Sequence, residues 1–132
     1  MDNKRKIVIY HSYSGHTKMI ANIIKKKIDC DVLELEPKYE FSSDYDEIII
    51  GSPVWWYSIT PVVREFLKEN NLEGKTVIPF ATNAGWLGRT FKEIEELCKN
   101  SSVTNEMNIV FGSYSDDLVT SMDEINNWIN TL

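Results

Sequence analysis

The sequence predicts an α/β fold: a doubly wound parallel sheet of five strands with helices on both faces. Three observations point to it. Short apolar runs recur at Ile7–Tyr10, Val32–Leu35, Ile48–Ile50, Val77–Ala81 and Met107–Phe111, and segments with helical spacing separate most of them. The first run opens into a helical pattern through a hydroxyl-rich turn, Ser12-Tyr13-Ser14-Gly15-His16-Thr17. Finally, 132 residues suffice for one domain, spanning 1–132, that buries a core without disulfides or metal. Strands alternating with helices are the pattern of a parallel sheet covered on both sides.

Each element has its own signature. Met19, Ile20, Ile23, Ile24 and Ile28 recur at helical spacing over residues 16 to 28. The second connection, Glu36-Pro37-Lys38-Tyr39-Glu40-Phe41-Ser42-Ser43-Asp44, has no period and contains a helix-breaking proline, so it is read as loop. A second helix is expected over 61 to 70, with Pro61 suited to its first position and Val62, Val63, Phe66 and Leu67 along one side. The third covers 88 to 99 through Phe91, Ile94 and Cys98; the last starts near 121 with Met122, Ile125, Ile129 and Leu132. Pro79 conflicts with a central strand because it offers no N–H to a ladder, which calls for a bulge or a position near the strand end.

Composition removes several functions. The net charge of −6 argues against nucleic acid, and no apolar run reaches the length of a membrane span. The N-terminus leads straight into a strand rather than a signal peptide, so the expected location is the cytoplasm. Cys30 and Cys98 lack the spacing of a zinc site and are expected to be buried, unpaired thiols; no metal is expected.

In an open parallel sheet a ligand sits beyond the carboxyl ends of the strands. The loop after the first strand is built for an anion there. A helix start leaves backbone N–H groups unsatisfied at the positive end of the dipole. Ser12, Ser14 and Thr17 add hydroxyls, and Gly15 permits a positive φ or close approach of the ligand. The same residues also end strands and cap helices. The nucleoside-triphosphate loop and the dinucleotide glycine fingerprint are both absent, and the loop contains no cysteine to attack a phosphate and no arginine to close on it. Binding one phosphate without attacking it remains.

Two further loops face the same edge. Gly51-Ser52-Pro53-Val54-Trp55-Trp56-Tyr57-Ser58-Ile59-Thr60-Pro61 carries three consecutive aromatics, which favour a planar ligand or an exposed docking patch over inward packing. Thr82-Asn83-Ala84-Gly85-Trp86-Leu87-Gly88 adds a tryptophan beside two glycines. A loop from Gly112 to Asp117 follows the fifth strand.

Taken in order, the hydroxyl loop, Gly-Ser-Pro-Val-Trp-Trp with Thr60-Pro61, and Pro79-Phe80-Ala81-Thr82 leading into a glycine loop resemble the flavodoxin family, in particular its short members. The resemblance covers nearly the whole chain and implies the strand order 2-1-3-4-5 and FMN as the cofactor. It implies that Ser12, Ser14, Gly15, His16 and Thr17 hold the phosphate. The isoalloxazine then lies between Pro53, Val54, Trp55, Trp56 and Tyr57 on one side and Thr82, Asn83, Ala84, Gly85 and Trp86 on the other. Residues 52 to 60 contain no glycine, so the family's glycine peptide that turns toward the reduced flavin has no counterpart. Trp86 stands where a small or polar residue is expected, and either stacks on the flavin or faces a partner.

The resemblance implies a monomeric electron carrier between a reductase and an acceptor, both docking near the flavin edge, with no catalytic residue of its own. Alternatives are a small FMN-dependent NAD(P)H:quinone-type oxidoreductase and a flavin-binding module without redox turnover. A phosphoaccepting receiver domain is excluded, because Tyr10-His11 and Gly51-Ser52 stand where it needs acidic residues. His16 is placed beside the phosphate. His11 has no partner that the sequence identifies.

Overall fold

Side chains along the strands alternate between two faces, and both faces are apolar. Val8, Tyr10, Ile49, Ile78 and Phe80 point to one, where they pack on Ile20, Ile24, Ile125 and Trp128. Ile7, Ile9, Ile48, Ile50 and Val77 point to the other, against Val63, Phe66, Leu67 and Ile94. A sheet with two apolar faces needs helices on both. The computed structural model, which describes residues 4–36, 39–113 and 115–132, supplies them.

The elements run β1 (Lys6–Tyr10), α1 (His16–Lys27), β2 (Asp31–Glu34), β3 (Glu47–Pro53), α2 (Pro61–Glu69), β4 (Thr76–Asn83), α3 (Thr90–Leu97), β5 (Ser102–Val103), β6 (Met107–Val110) and α4 (Met122–Ile129). All strand pairings are parallel, in the order β2-β1-β3-β4, with β5 and β6 both on the outer side of β4. Helices α1 and α4 cover one face, α2 and α3 the other. The expected order therefore holds, with one correction: two short segments fill the fifth position.

Pro79 accounts for the break. It lies in the middle of β4, neither in a bulge nor near an end, and is paired with Ile50. Along a parallel strand, successive residues address opposite neighbours. Thr76 and Thr82 bond toward β3, whereas the carbonyls of Val77 and Asn83 accept from Thr104 and Phe111 on the outer side. Pro79 faces that outer side and has no N–H to give. Strand β5 pairs with β4 only as far as Val77, and β6 resumes at Phe80. Between them the chain leaves the sheet through Asn105, whose φ is 56°.

The other expectations fare well. The described residues between β2 and β3 contain no helix; Pro37 and Lys38 lie outside them. Tyr39, Phe41 and Tyr45 of that connection pack against the α2 side of the core. Cys30 and Cys98 are free and buried. Burial pushes the Cys98 thiol up to about 11 and raises that of Cys30, so neither is a ready nucleophile. Trp128 is core: it meets Phe80 edge-on at 5.8 Å and donates its indole N–H to the Asn105 carbonyl at 2.8 Å.

Candidate functional site

The carboxyl ends of β1, β3, β4 and β6 bring together the loops at 11–15, 54–60, 84–89 and 111–117. At the first, Gly15 sits just before α1 with φ 95°, and its carbonyl accepts from Met19 N–H at 2.9 Å. Ser12 Oγ accepts the Lys18 N–H at 3.2 Å, so this hydroxyl caps the helix. The backbone N–H groups of residues 13 to 17 have no acceptor among the described residues. The Thr17 hydroxyl is buried and shares a 2.8 Å hydrogen bond with that of Thr82, tying α1 to β4 beneath the loop. Ser14 is left with an exposed hydroxyl.

The aromatic loop is a tight turn. Trp55 and Ser58 exchange both backbone bonds, at 2.9 and 3.1 Å, and the central residues Trp56 and Tyr57 have φ 53° and 62°. Positive φ at both central positions defines a hairpin turn that usually takes asparagine and glycine. Two bulky aromatics there cost backbone strain, about 1–3 kcal/mol each. They are presented outward: Trp56 is 94% exposed and Tyr57 64%.

Three contacts hold the turn in place. The Tyr57 carbonyl accepts the Arg89 N–H at 2.7 Å. Gly88, with φ 58°, passes so close that a Cβ there would lie 2.2 Å from the Tyr57 oxygen. Below the turn, Ser58 Oγ donates to Glu93, whose carboxylate also takes Arg64 Nε at 2.5 Å and Nη2 at 2.9 Å. The Arg64 bond holds the Glu93 carboxyl below its ordinary range against the opposing effect of burial.

A cleft of about 220 Å³ opens between the first loop and the strand ends. Ser14, His16, Pro53, Val54, Trp55, Thr82, Asn83 and Ala84 line it, together with Tyr13, Phe111 and Gly112. Val54 is shared with an adjoining groove of about 280 Å³, whose other walls are Trp56, Tyr57 and Trp86. Of the remaining expected residues, Ser12, Gly15 and Thr17 shape the helix start from behind. Gly85, at φ 118°, donates its N–H to Asn83 Oδ1 at 2.8 Å and fixes the bend before Trp86.

Two histidines flank the cleft. His16 stacks flat on Phe111, with centroids 3.9 Å apart, and its Nε2 lies 2.9 Å from Asp116 Oδ1. This contact ties the Asp116 carboxylate to the imidazole of the first residue of α1. His11 follows β1 and meets Thr60 and Trp55. Among the described residues, no cluster of His, Cys, Asp and Glu is gathered for a metal ion, and no helix is long and apolar enough to cross a membrane.

A protein-family profile described as flavodoxin matches residues 38–132, well over half of the chain. The chain belongs to the flavodoxin family. Its fold matches a protein from Bacteroides uniformis at 21% identity and TM-score 0.77, covering 98% of this chain and 99% of that one. It also matches a Lactobacillus acidophilus flavoprotein in complex with FMN (22% identity, TM-score 0.68, 80% and 92% of the two chains). A Fusobacterium nucleatum flavodoxin bound to flavin mononucleotide is similar too (14% identity, TM-score 0.71, 97% and 96%). No match was found among curated proteins. Family membership and the FMN-bound relatives support FMN as the cofactor expected from the sequence. The family match begins after the Ser12–Thr17 loop, so the anion-site reading of that loop rests on its own geometry.

Tyr13, Phe111 and Gly112 line the cleft, and Asp116 and His11 flank it, without a ligand role assigned to any of them from the sequence, although Tyr13 and Gly112–Asp117 lie in loops expected at this edge. Phe111 and Gly112 carried a signal, since they stand where the fifth strand ends. The partner of His16 is 100 residues away in the chain, and that of His11 is 49. Only the folded sheet edge brings them together.

Proposed function

We propose that this protein is an FMN-dependent electron carrier, taking electrons from a reductase and passing them to an acceptor protein. The observation that carries the reading is the pairing of unsatisfied N–H groups at residues 13–17 with an aromatic-walled cleft that opens directly beside them. The donors suit a terminal phosphate. The cleft and groove, about 220 and 280 Å³, together reach the range of small-molecule sites. Among the described residues no carboxylate side chain lines either cavity, and Asp116, beside the cleft, is tied to His16.

When bound, FMN supplies the redox chemistry through its ring system. The chain's own residues bind and orient. Backbone N–H groups and Ser14 hold the phosphate at the start of α1. Val54, Trp55, Trp56, Tyr57 and Trp86 would hold a flat ring and limit its contact with water. That exposed aromatic rim suits docking of a reductase or acceptor at the flavin edge. The carrier is a monomer working in the cytoplasm.

Stopped-flow mixing of the flavin-loaded protein with a reduced flavodoxin reductase tests the role. Rapid reduction, without steady NAD(P)H oxidation by the protein alone, is the expected result. Steady oxidation by the isolated protein identifies an NAD(P)H-dependent oxidoreductase instead, and failure to accept electrons leaves a non-redox flavin-binding module.

A further inference from the structure

His11 is the imidazole that the FMN reading leaves without a task. Its Nδ1 lies 2.8 Å from Thr60 Oγ1, and Thr60 is fully buried. Thr60 is the residue before α2, where a threonine hydroxyl normally caps the helix; here it makes no cap bond. The hydroxyl meets His11 instead of the first N–H groups of the helix. The same ring meets Trp55 edge-on, with centroids 5.6 Å apart, and Trp55 in turn meets Tyr13 at 5.5 Å. Trp55 and Tyr13 both line the cleft. His11 is thus a strut between the start of α2 and one wall of the ligand site.

The charges around the strut are arranged unevenly. Strand β1 lies between β2 and β3, and Trp55 follows β3. On the other flank, Glu34 ends β2 opposite Tyr10 and acts on His11 electrostatically. Lys18 of α1 lies 3.8 Å from Glu34. Tyr10, pushed up to about 12 by burial and by Glu34, stays neutral. From α2, Arg64 is engaged by Glu93 and the Ile59 carbonyl. Glu34 is thus engaged by Tyr10 and Lys18 on the α1 side, whereas His11 meets Thr60 at the start of α2.

We propose that His11 is a proton-responsive positioning residue: its neutral ring, held by Thr60, braces Trp55, and protonation puts on this half-buried ring a charge that draws it toward water and loosens the cleft wall, so that a planar ligand is held less tightly in acid. Burial favours the neutral ring and lowers its pKa, with Glu34 opposing, so the brace is intact at neutral pH and the change falls below the ordinary imidazole range. The effect on ligand binding rests on the FMN reading; the effect on Trp55 does not.

Tryptophan emission of the flavin-free protein, followed from pH 8 to pH 4.5, tests the strut directly. A single-proton step below about pH 6.5 is expected. It should vanish in H11Q, which keeps a hydrogen-bonding side chain toward Thr60 but does not titrate, and in W55F. H11N serves if H11Q fails to fold by circular dichroism. FMN affinity over the same range should fall in the wild type relative to H11Q, by no more than ~tenfold per pH unit below the step. The titration of the FMN phosphate cancels in that ratio. A step that persists in H11Q, or a wild type with none, overturns the proposal. No FMN binding at any pH, with the step intact, instead overturns the cofactor reading and leaves His11 in control of Trp55.

Discussion

Replacing Gly88 with alanine tests whether the aromatic turn is held by backbone contact. Two costs add at this position. Alanine at φ 58° carries left-handed strain, about 1–2 kcal/mol. The new Cβ would also lie 2.2 Å from the Tyr57 carbonyl oxygen and 2.7 Å from its carbonyl carbon, backbone atoms that cannot swing aside as a flexible side chain can. Relief requires the turn to shift, which breaks the 2.7 Å bond from Arg89 and costs about 1–3 kcal/mol more. The total, about 2–5 kcal/mol, lowers the melting temperature by roughly 8–20 °C in a domain of this size.

Gly74 provides the matched control. Its φ is 79°, and no atom lies within 4 Å of the added Cβ, so Gly74→Ala carries the strain alone. Its expected loss is about 1–2 kcal/mol. Thermal melts followed by circular dichroism give the stability difference, and flavin fluorescence gives FMN affinity in both variants. Gly88→Ala should weaken FMN binding about tenfold through displaced aromatics, while Gly74→Ala leaves it unchanged. Equal melting temperatures and equal affinities in the two variants refute the reasoning.

Other perturbations separate stability from binding. Trp56→Asn removes an exposed indole from a strained φ of 53° and puts there a residue that tolerates it, so stability should rise by about 1 kcal/mol while FMN affinity falls. Trp128→Ala should do the opposite, costing about 3–5 kcal/mol of stability through an emptied core position. Thr17→Val leaves the buried Thr82 hydroxyl unpaired, at a cost of about 1–3 kcal/mol, and the Thr17→Val/Thr82→Val double variant should recover part of it in chemical denaturation. The Glu93 carboxyl is held down by Arg64. It binds its proton more readily in the unfolded chain, so its contribution is complete above the ordinary glutamate range and is lost as pH falls through its folded value. Glu93→Gln should flatten the acid side of the stability profile below about pH 4.5 and loosen the Ser58 end of the turn.

The strands and the ligand-side loops were legible because both depend on local pattern. Apolar runs such as Ile48–Ile50 mark strands buried on both faces, and Pro61 marks the first residue of α2 as its fixed φ requires. Pro79 signalled trouble in the fourth strand, but the sheet resolves it in the neighbour: β4 stays straight and its outer partner breaks into β5 and β6. The sequence of the aromatic turn argues against its conformation, since neither Trp56 nor Tyr57 prefers positive φ. Gly88 and the Ser58–Glu93–Arg64 bonds impose it from elements later in the chain. The hydroxyls of the first loop were predicted as a group, yet the fold divides them. Ser12 caps α1 and Thr17 bonds Thr82, which leaves Ser14 and the backbone N–H groups to face the cleft.

The central claim is that one site combines an anion cradle at the start of α1 with an aromatic clamp. Titrating the flavin-free protein with FMN and with riboflavin, followed by desalting and a visible spectrum, tests it most directly. The account predicts that FMN is retained and that riboflavin, lacking the phosphate, binds about 100-fold more weakly, as loss of two charge-assisted hydrogen bonds implies. No retained flavin, or equal affinity for the two compounds, contradicts it.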